Sequence, residues 1–334
     1  MRWTSCCRLL AALCACLLTL VAPGEGGPAG AEPPAFVMAW NPSGDQLAVT
    51  APNAVIVYAY ANFALTPMAV LLIPAMPSAL AWSPSGGRVA VGDGAGGLTV
   101  WEVASGRQMW AVAASPAPIR AVAWGDRIAI TARATELVRL FTPFGQPDGE
   151  IPLSGPIMSL AFGPDGRQLA IGGAVRGTYE QGYAEIWDSA TCTRLYAYRA
   201  EMRPASRLAW LPGAPSQVAI LTRYALFVWE PSTDATRPVD MRLAEGVEAA
   251  AFAWSEDGNL FGGAVNHDAG SLLFVRRGDR EIGEFRPDGV TIREIGWGGH
   301  GAQAVIAVLD GGGALHLLDG ESAIPRAAAI LNRP

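Results

Sequence analysis

Arginine and tyrosine side chains carry the most readable chemistry in this chain. The segment 174–183 reads Ala-Val-Arg-Gly-Thr-Tyr-Glu-Gln-Gly-Tyr, which sets Arg176, Tyr179, Glu180 and Tyr183 between glycines. Tyr and Arg are favoured interface anchors, so this segment is a candidate partner-binding loop. Arg133 and the pair Arg223-Tyr224 extend the set. Arg120, Arg207 and Arg293 form a second group. A guanidinium is a planar, permanently charged fork, and several together suit an acidic peptide, a carboxylate or a phosphate. Ligand types for a metal occur in Asn266-His267-Asp268 and Asp310-Gly311-Gly312-Gly313. One His beside one Asp is not a site unless distant segments contribute, so no metal and no cofactor is expected. Gly-x-Ser-x-Gly is absent, as is a phosphate-cradling glycine loop, and no catalytic residue is assigned. Distant segments can still assemble acid–base chemistry that a linear reading does not show.

The elements that must position these residues are visible as a repeat. A small residue, an aromatic and a tight turn recur: Ala39-Trp40-Asn41-Pro42-Ser43-Gly44, Ala81-Trp82-Ser83-Pro84-Ser85-Gly86, then copies at Trp124, Phe162, Trp210, Trp254 and Trp297. The spacings are 42, 42, 38, 48, 44 and 43 residues. An aliphatic-Ala-aliphatic triplet follows each turn, as in Leu47-Ala48-Val49 and Val89-Ala90-Val91, except in the sixth copy, where Leu260-Phe261-Gly262 stands. A strand ending in an aromatic comes next, as in Val100-Trp101-Glu102, Ile186-Trp187-Asp188 and Val228-Trp229-Glu230. Period-two alternation with β-branched residues is a strand signal. Each unit therefore reads as strands a, b, c and d. Seven units of about 43 residues match the four-stranded blades of a propeller. The expected fold is all-β, a seven-bladed β-propeller of four-stranded antiparallel blades. No helix is expected after the N-terminal segment. One blade cannot bury both its faces, so stability must come from stacking around a ring. Nine of the 11 Trp fall at the strand a and strand c markers, where packing between blades explains them.

The unit resembles a WD40 repeat over residues 36–330. Trp187-Asp188 is a strict Trp-Asp pair, with Trp101-Glu102 and Trp229-Glu230 as near copies. The Gly-His pair usual before strand a is missing; the three His are His267, His300 and His316. The resemblance implies a buried His-Asp-Ser/Thr-Trp network that this chain mostly lacks, so it is a divergent relative. It also implies that b–c and d–a loops share one face. On that face Arg133, Arg176 and Arg223 would fall at equivalent b–c loops of three successive blades. Arg120, Arg207 and Arg293 would start strand a near the channel mouth. In the family the first strand often completes the last blade, whereas here residues 323–330 read as a local outer strand.

Composition narrows the class. Hydrophobic residues make up 51% and charged residues 16%, with 39 Gly and 25 Pro, which fits many short elements rather than disorder. Net charge is −6 and no basic run exists, which disfavours a nucleic-acid binder. All cationic side chains other than His are Arg. Arg2 and Arg8 precede an apolar run at 9–21, and Ala29-Gly30-Ala31 is an A-x-A match. Residues 1–31 are therefore expected to be a signal peptide, cleaved before Glu32, with 32–334 as the propeller in the periplasm or outside the cell. Cys6, Cys7, Cys14 and Cys16 would leave with it, so only Cys192 remains and no internal disulfide is possible. No membrane span is expected after cleavage. The expected function is a protein–protein interaction platform in the cell envelope, with a protein or peptide partner, acidic partners included. The alternatives are a lactonase-like metal-dependent hydrolase or a small-ligand sensor.

Overall fold

The computed structural model describes residues 37–178, 180–198, 202–243, 245–268 and 270–330. The expected signal segment 1–31 lies outside them. The chain is a seven-bladed β-propeller: seven four-stranded antiparallel sheets follow one another in the order a-b-c-d. Blades 1 to 7 span 38–72, 77–113, 119–152, 157–198, 207–239, 248–285 and 292–330. The helical content among the described residues is one 3₁₀ turn, Gly301–Gln303. No helix among them is long and apolar enough to cross a membrane.

The turn that punctuates each repeat has a clear local cause. In blades 1, 2, 4 and 6 the N–H of the turn glycine donates to the carbonyl three residues back, as Gly44 does to Asn41 at 3.0 Å and Gly86 to Ser83 at 2.9 Å. These glycines sit at φ +64 and +73, a left-handed conformation that glycine adopts without a Cβ penalty. The turn reverses strand a into strand b.

The core is divided among the seven seams between blades. The b-strand triplet explains how. In blade 1, Leu47 and Val49 pack against blade 7, while Ala48 packs against blade 2. In blade 2, Val89 and Val91 face blade 1 while Ala90 faces blade 3. The alternation of a strand sends neighbours to opposite faces, and the small middle residue makes room for the next blade. Blade 6 keeps the small middle residue. Ala48 pairs with Ala39, and the corresponding partner of Ala253 is Gly262. The triplet in register is thus Phe261-Gly262-Gly263, one residue later than the sequence suggests. A Cβ on Gly262 would lie 3.6 Å from the Trp297 Nε1 of the next blade, which is why a small residue belongs there.

The strand a tryptophans also bind the ring by hydrogen bonds. Trp82 Nε1 donates to Ala39 O at 2.9 Å, Trp210 to Ala161 O at 3.0 Å, Trp297 to Ala253 O at 3.1 Å and Trp40 to Gly296 O at 3.2 Å. In each case the acceptor is the small residue before the aromatic of the preceding blade. Elsewhere, Trp101 Nε1 donates to Thr99 Oγ1 at 3.0 Å, and His316 Nε2 lies 2.9 Å from Asp310 Oδ2.

The ring closes without strand exchange. The outer strand Pro325–Ile330 pairs with Ala314–Asp319 inside blade 7. Blade 7 meets blade 1 through side chains and loops. Besides the Trp40 bond, Tyr60 Oη donates to Gln303 O at 2.8 Å, Gly299 N to Gly44 O at 2.8 Å and Met38 N to Glu294 Oε2 at 3.0 Å.

Candidate functional site

Strand a is the innermost strand of every blade, so its axis-facing residues line the central channel. Because the sheets are antiparallel, each strand a begins at the end of the ring where the b–c loops lie. Arg120 lies in Ile119–Trp124, Arg207 opens Arg207–Leu211 and Arg293 lies in Ile292–Gly298. All three line one cavity of about 400 Å³, together with Glu294, Ser78 and Ser159. Arginines far apart in sequence and drawn from blades 3, 5 and 7 are thereby brought to one place. Glu294 is the carboxylate among the lining residues. It sits 3.2 Å from Arg207 Nη1 and also accepts the Met38 N–H. The mouth is therefore net positive in a chain that is net negative.

The second group lies farther out on the same face. Arg133, Arg176 and Arg223 follow the b strands Ile128–Ala132, Gln168–Ala174 and Ala214–Leu221, so they occupy equivalent loops of successive blades. Arg176 forms an ion pair and two hydrogen bonds with Glu136 of blade 3. That contact holds the Glu136 carboxyl below the usual carboxylate range and raises Arg176. Arg223 pairs with Glu248 of blade 6, which raises the Arg223 guanidinium in turn. Glu180 lies 3.4 Å from Arg203 Nη1. Exposed pairs of this kind add little stability, but they fix where the forks point.

Tyr224 is the aromatic of this surface. It is 48% exposed, with Arg223 Cζ 5.4 Å and Arg203 Cζ 5.9 Å from its ring centroid. Two cations over one ring hold it in place by attraction to its π face. Arg203, Glu136 and Glu248 were not picked out in the sequence. Arg203 lies in the d–a segment before blade 5, and reading d–a loops as well as b–c loops would have found it.

Tyr183 differs from the expectation. It belongs to strand Gly182–Asp188, is 4% exposed and donates its hydroxyl to Gly155 O at 3.1 Å. Burial pushes its phenol well up. The register places it on the core face of blade 4, packed with Ile157 and Leu160 against blade 3, so it is not on the open surface. Tyr179 lies outside the described residues.

The ligand-type residues mostly serve turns. Asp93 Oδ1 accepts the N–H groups of Ala95 and Gly97 at 2.8 Å each. Asp310 Oδ1 accepts those of Gly312 and Ala314 at 2.9 Å, while Oδ2 meets His316. Among the described residues no group of three or more His, Cys, Asp or Glu is placed to hold a metal ion. Cys192 sits half-buried in the c–d turn of blade 4 at φ +53. A larger cavity of about 570 Å³ opens on the opposite face between blades 6, 7 and 1, where His300 Nδ1 lies 2.7 Å from Glu256 Oε2.

These features define a β-propeller whose b–c face is rich in arginine. No family model matches the chain, and no curated protein matches it. Among solved structures, a chain from the crystal structure of a mitotic checkpoint complex superposes with a TM-score of 0.65. It is 16% identical, and the match covers 87% of this chain and 93% of that one. At that identity the likeness shows the fold alone.

Proposed function

We propose that this chain is a divergent WD40-like propeller that works as a protein–protein interaction platform in the cell envelope, exported by residues 1–31. The observation that carries the reading is Tyr224, an exposed ring with Arg203 Cζ 5.9 Å and Arg223 Cζ 5.4 Å from its centroid on the b–c face. An aromatic pre-set by its neighbours loses little freedom on binding, and Tyr and Arg dominate interface energetics. Arg133 and Arg176 extend the contact surface towards blade 3, and Glu180 and Arg203 continue it between blades 4 and 5. The arginine forks of this face suit a partner with acidic side chains. The solved structure that shares the fold is itself part of a multi-protein complex, which agrees with this reading.

Crosslinking of the exported protein in its native envelope, followed by mass spectrometry, tests it. Capture of the same partner by wild type and loss of it in Tyr224→Ala is the expected result. Undiminished capture by a Tyr224→Ala/Arg223→Gln double variant sinks the assignment of this surface. Sequencing the mature N-terminus should give Glu32, and a chain still starting at Met1 in the cell would refute export by cleavage.

A further inference from the structure

We propose that the mouth of the central channel is an oxyanion-binding site, built to take a carboxylate- or phosphate-bearing group on Arg120, Arg207 and Arg293. The inference concerns the channel and does not depend on the outer surface being a platform.

Four observations converge. First, Arg120, Arg207 and Arg293 come from blades 3, 5 and 7 and line a single cavity of about 400 Å³, which is in the range of small-ligand sites. Second, one carboxylate, Glu294, lines the cavity beside the three arginines. Glu294 pairs with Arg207 and is further occupied by the Met38 N–H, while Arg293 makes no ion pair among the described residues. Cations gathered in one cavity repel each other, and an entering anion relieves that repulsion. Third, the three-to-one balance of arginine over carboxylate in the cavity lining stands in a chain of net charge −6, so the positive mouth is a local feature and not an average property. Channel walls of low dielectric focus such a field along the axis. Fourth, Ser159 lines the cavity and its oxygen already accepts the Leu208 N–H at 2.9 Å, which leaves its own O–H to donate. Arginine forks with a hydroxyl donor recognise planar or tetrahedral oxyanions.

The same chemistry can come from a free small anion or from an acidic segment of a docked protein, and calorimetry separates them. The full exported protein is titrated at low ionic strength with citrate, with inorganic phosphate and with a hexaglutamate peptide. Stoichiometric binding of at least one probe is expected, weakened about tenfold or more by Arg293→Gln or Arg120→Gln, the scale for losing one charge-assisted contact. Glu294→Gln should tighten it, because Arg207 is released from its internal partner. Arg88→Gln, at the a–b end of blade 2, should leave it unchanged. Binding of citrate or phosphate marks a free ligand, and binding of the peptide alone marks a segment of a partner. The proposal is overturned by the absence of one-to-one binding for all three probes. It is equally overturned if circular dichroism shows Arg120→Gln and Arg293→Gln to be folded and both bind as wild type does.

Discussion

Replacing Gly298 with Ala should loosen the ring at the seam where blade 7 meets blade 1. A Cβ there would fall 2.3 Å from Trp40 Cδ2 and 2.5 Å from Cε2 and Cε3. The indole has little room to retreat. Its N–H is bound to Gly296 O, and its ring makes an edge contact with Tyr60 at 5.4 Å. Tyr60 is in turn held by Gln303 O. Giving up the hydrogen bond costs about 1 kcal/mol, and losing the ring contact costs about as much. Overpacking strain adds roughly 1–3 kcal/mol. The variant should therefore lose about 3–5 kcal/mol in urea unfolding, with a fall of about 5–10 °C in Tm. Gly87→Ala is the control, because nothing lies within 4 Å of a Cβ there and its φ is not positive. It should stay within about 0.5 kcal/mol of wild type. Adding Trp40→Leu to Gly298→Ala should cost less than the two single changes predict, with a coupling of about 1 kcal/mol or more. Equal stability of Gly298→Ala and Gly87→Ala, or strict additivity with Trp40→Leu, would refute the seam argument.

Two further outcomes follow from the side-chain geometry. Asp188 receives hydrogen bonds from Arg167 and from the Ala190 and Thr191 N–H groups, which lower its carboxyl from 3.8 to about 2. A depressed folded value gives stability that is fully present above the unfolded value and lost as pH falls through the folded one. The stability gap between wild type and Asp188→Asn should thus be constant above about pH 5 and shrink towards pH 2; a gap that ignores pH in urea titrations contradicts the assignment. Tyr183→Phe removes the hydrogen bond to Gly155 and should cost about 1 kcal/mol while leaving partner capture intact. Tyr224→Ala should show the reverse, near-native stability with capture lost, and a shared phenotype for the two would remove the distinction between core and surface tyrosine.

The repeat markers carried most of the architecture because their physics is local. A turn glycine near φ +64 and a period-two triplet need no distant partner to be recognised. The exception in blade 6 was misread for a related reason. Leu260-Phe261-Gly262 stands in the triplet's place and departs from it in sequence, and pairing of Ala253 with Gly262 moves the small middle position one residue later, which only the register reveals. The candidate site was legible as residue types and not as contacts. Arg133, Arg176 and Arg223 could be placed on equivalent loops by counting, whereas Glu136 and Glu248 as their partners could not.

The sequence by itself determined the number of blades, the strand order within each and, in every blade but the sixth, the small residue that the b strand presents to its neighbour. These follow from alternation and turn chemistry over a few residues. Tertiary structure alone decided two matters and gave contacts to two that the sequence had only outlined. The strand a indoles reach the carbonyls of the preceding blade. Tyr183 turns inward. The ring closes by side-chain contact and not by strand exchange. Arg120, Arg207 and Arg293 meet at one channel mouth. Each depends on closing a ring that brings together residues from different blades, 256 positions apart in the bond between Trp40 and Gly296, and no local pattern encodes that distance.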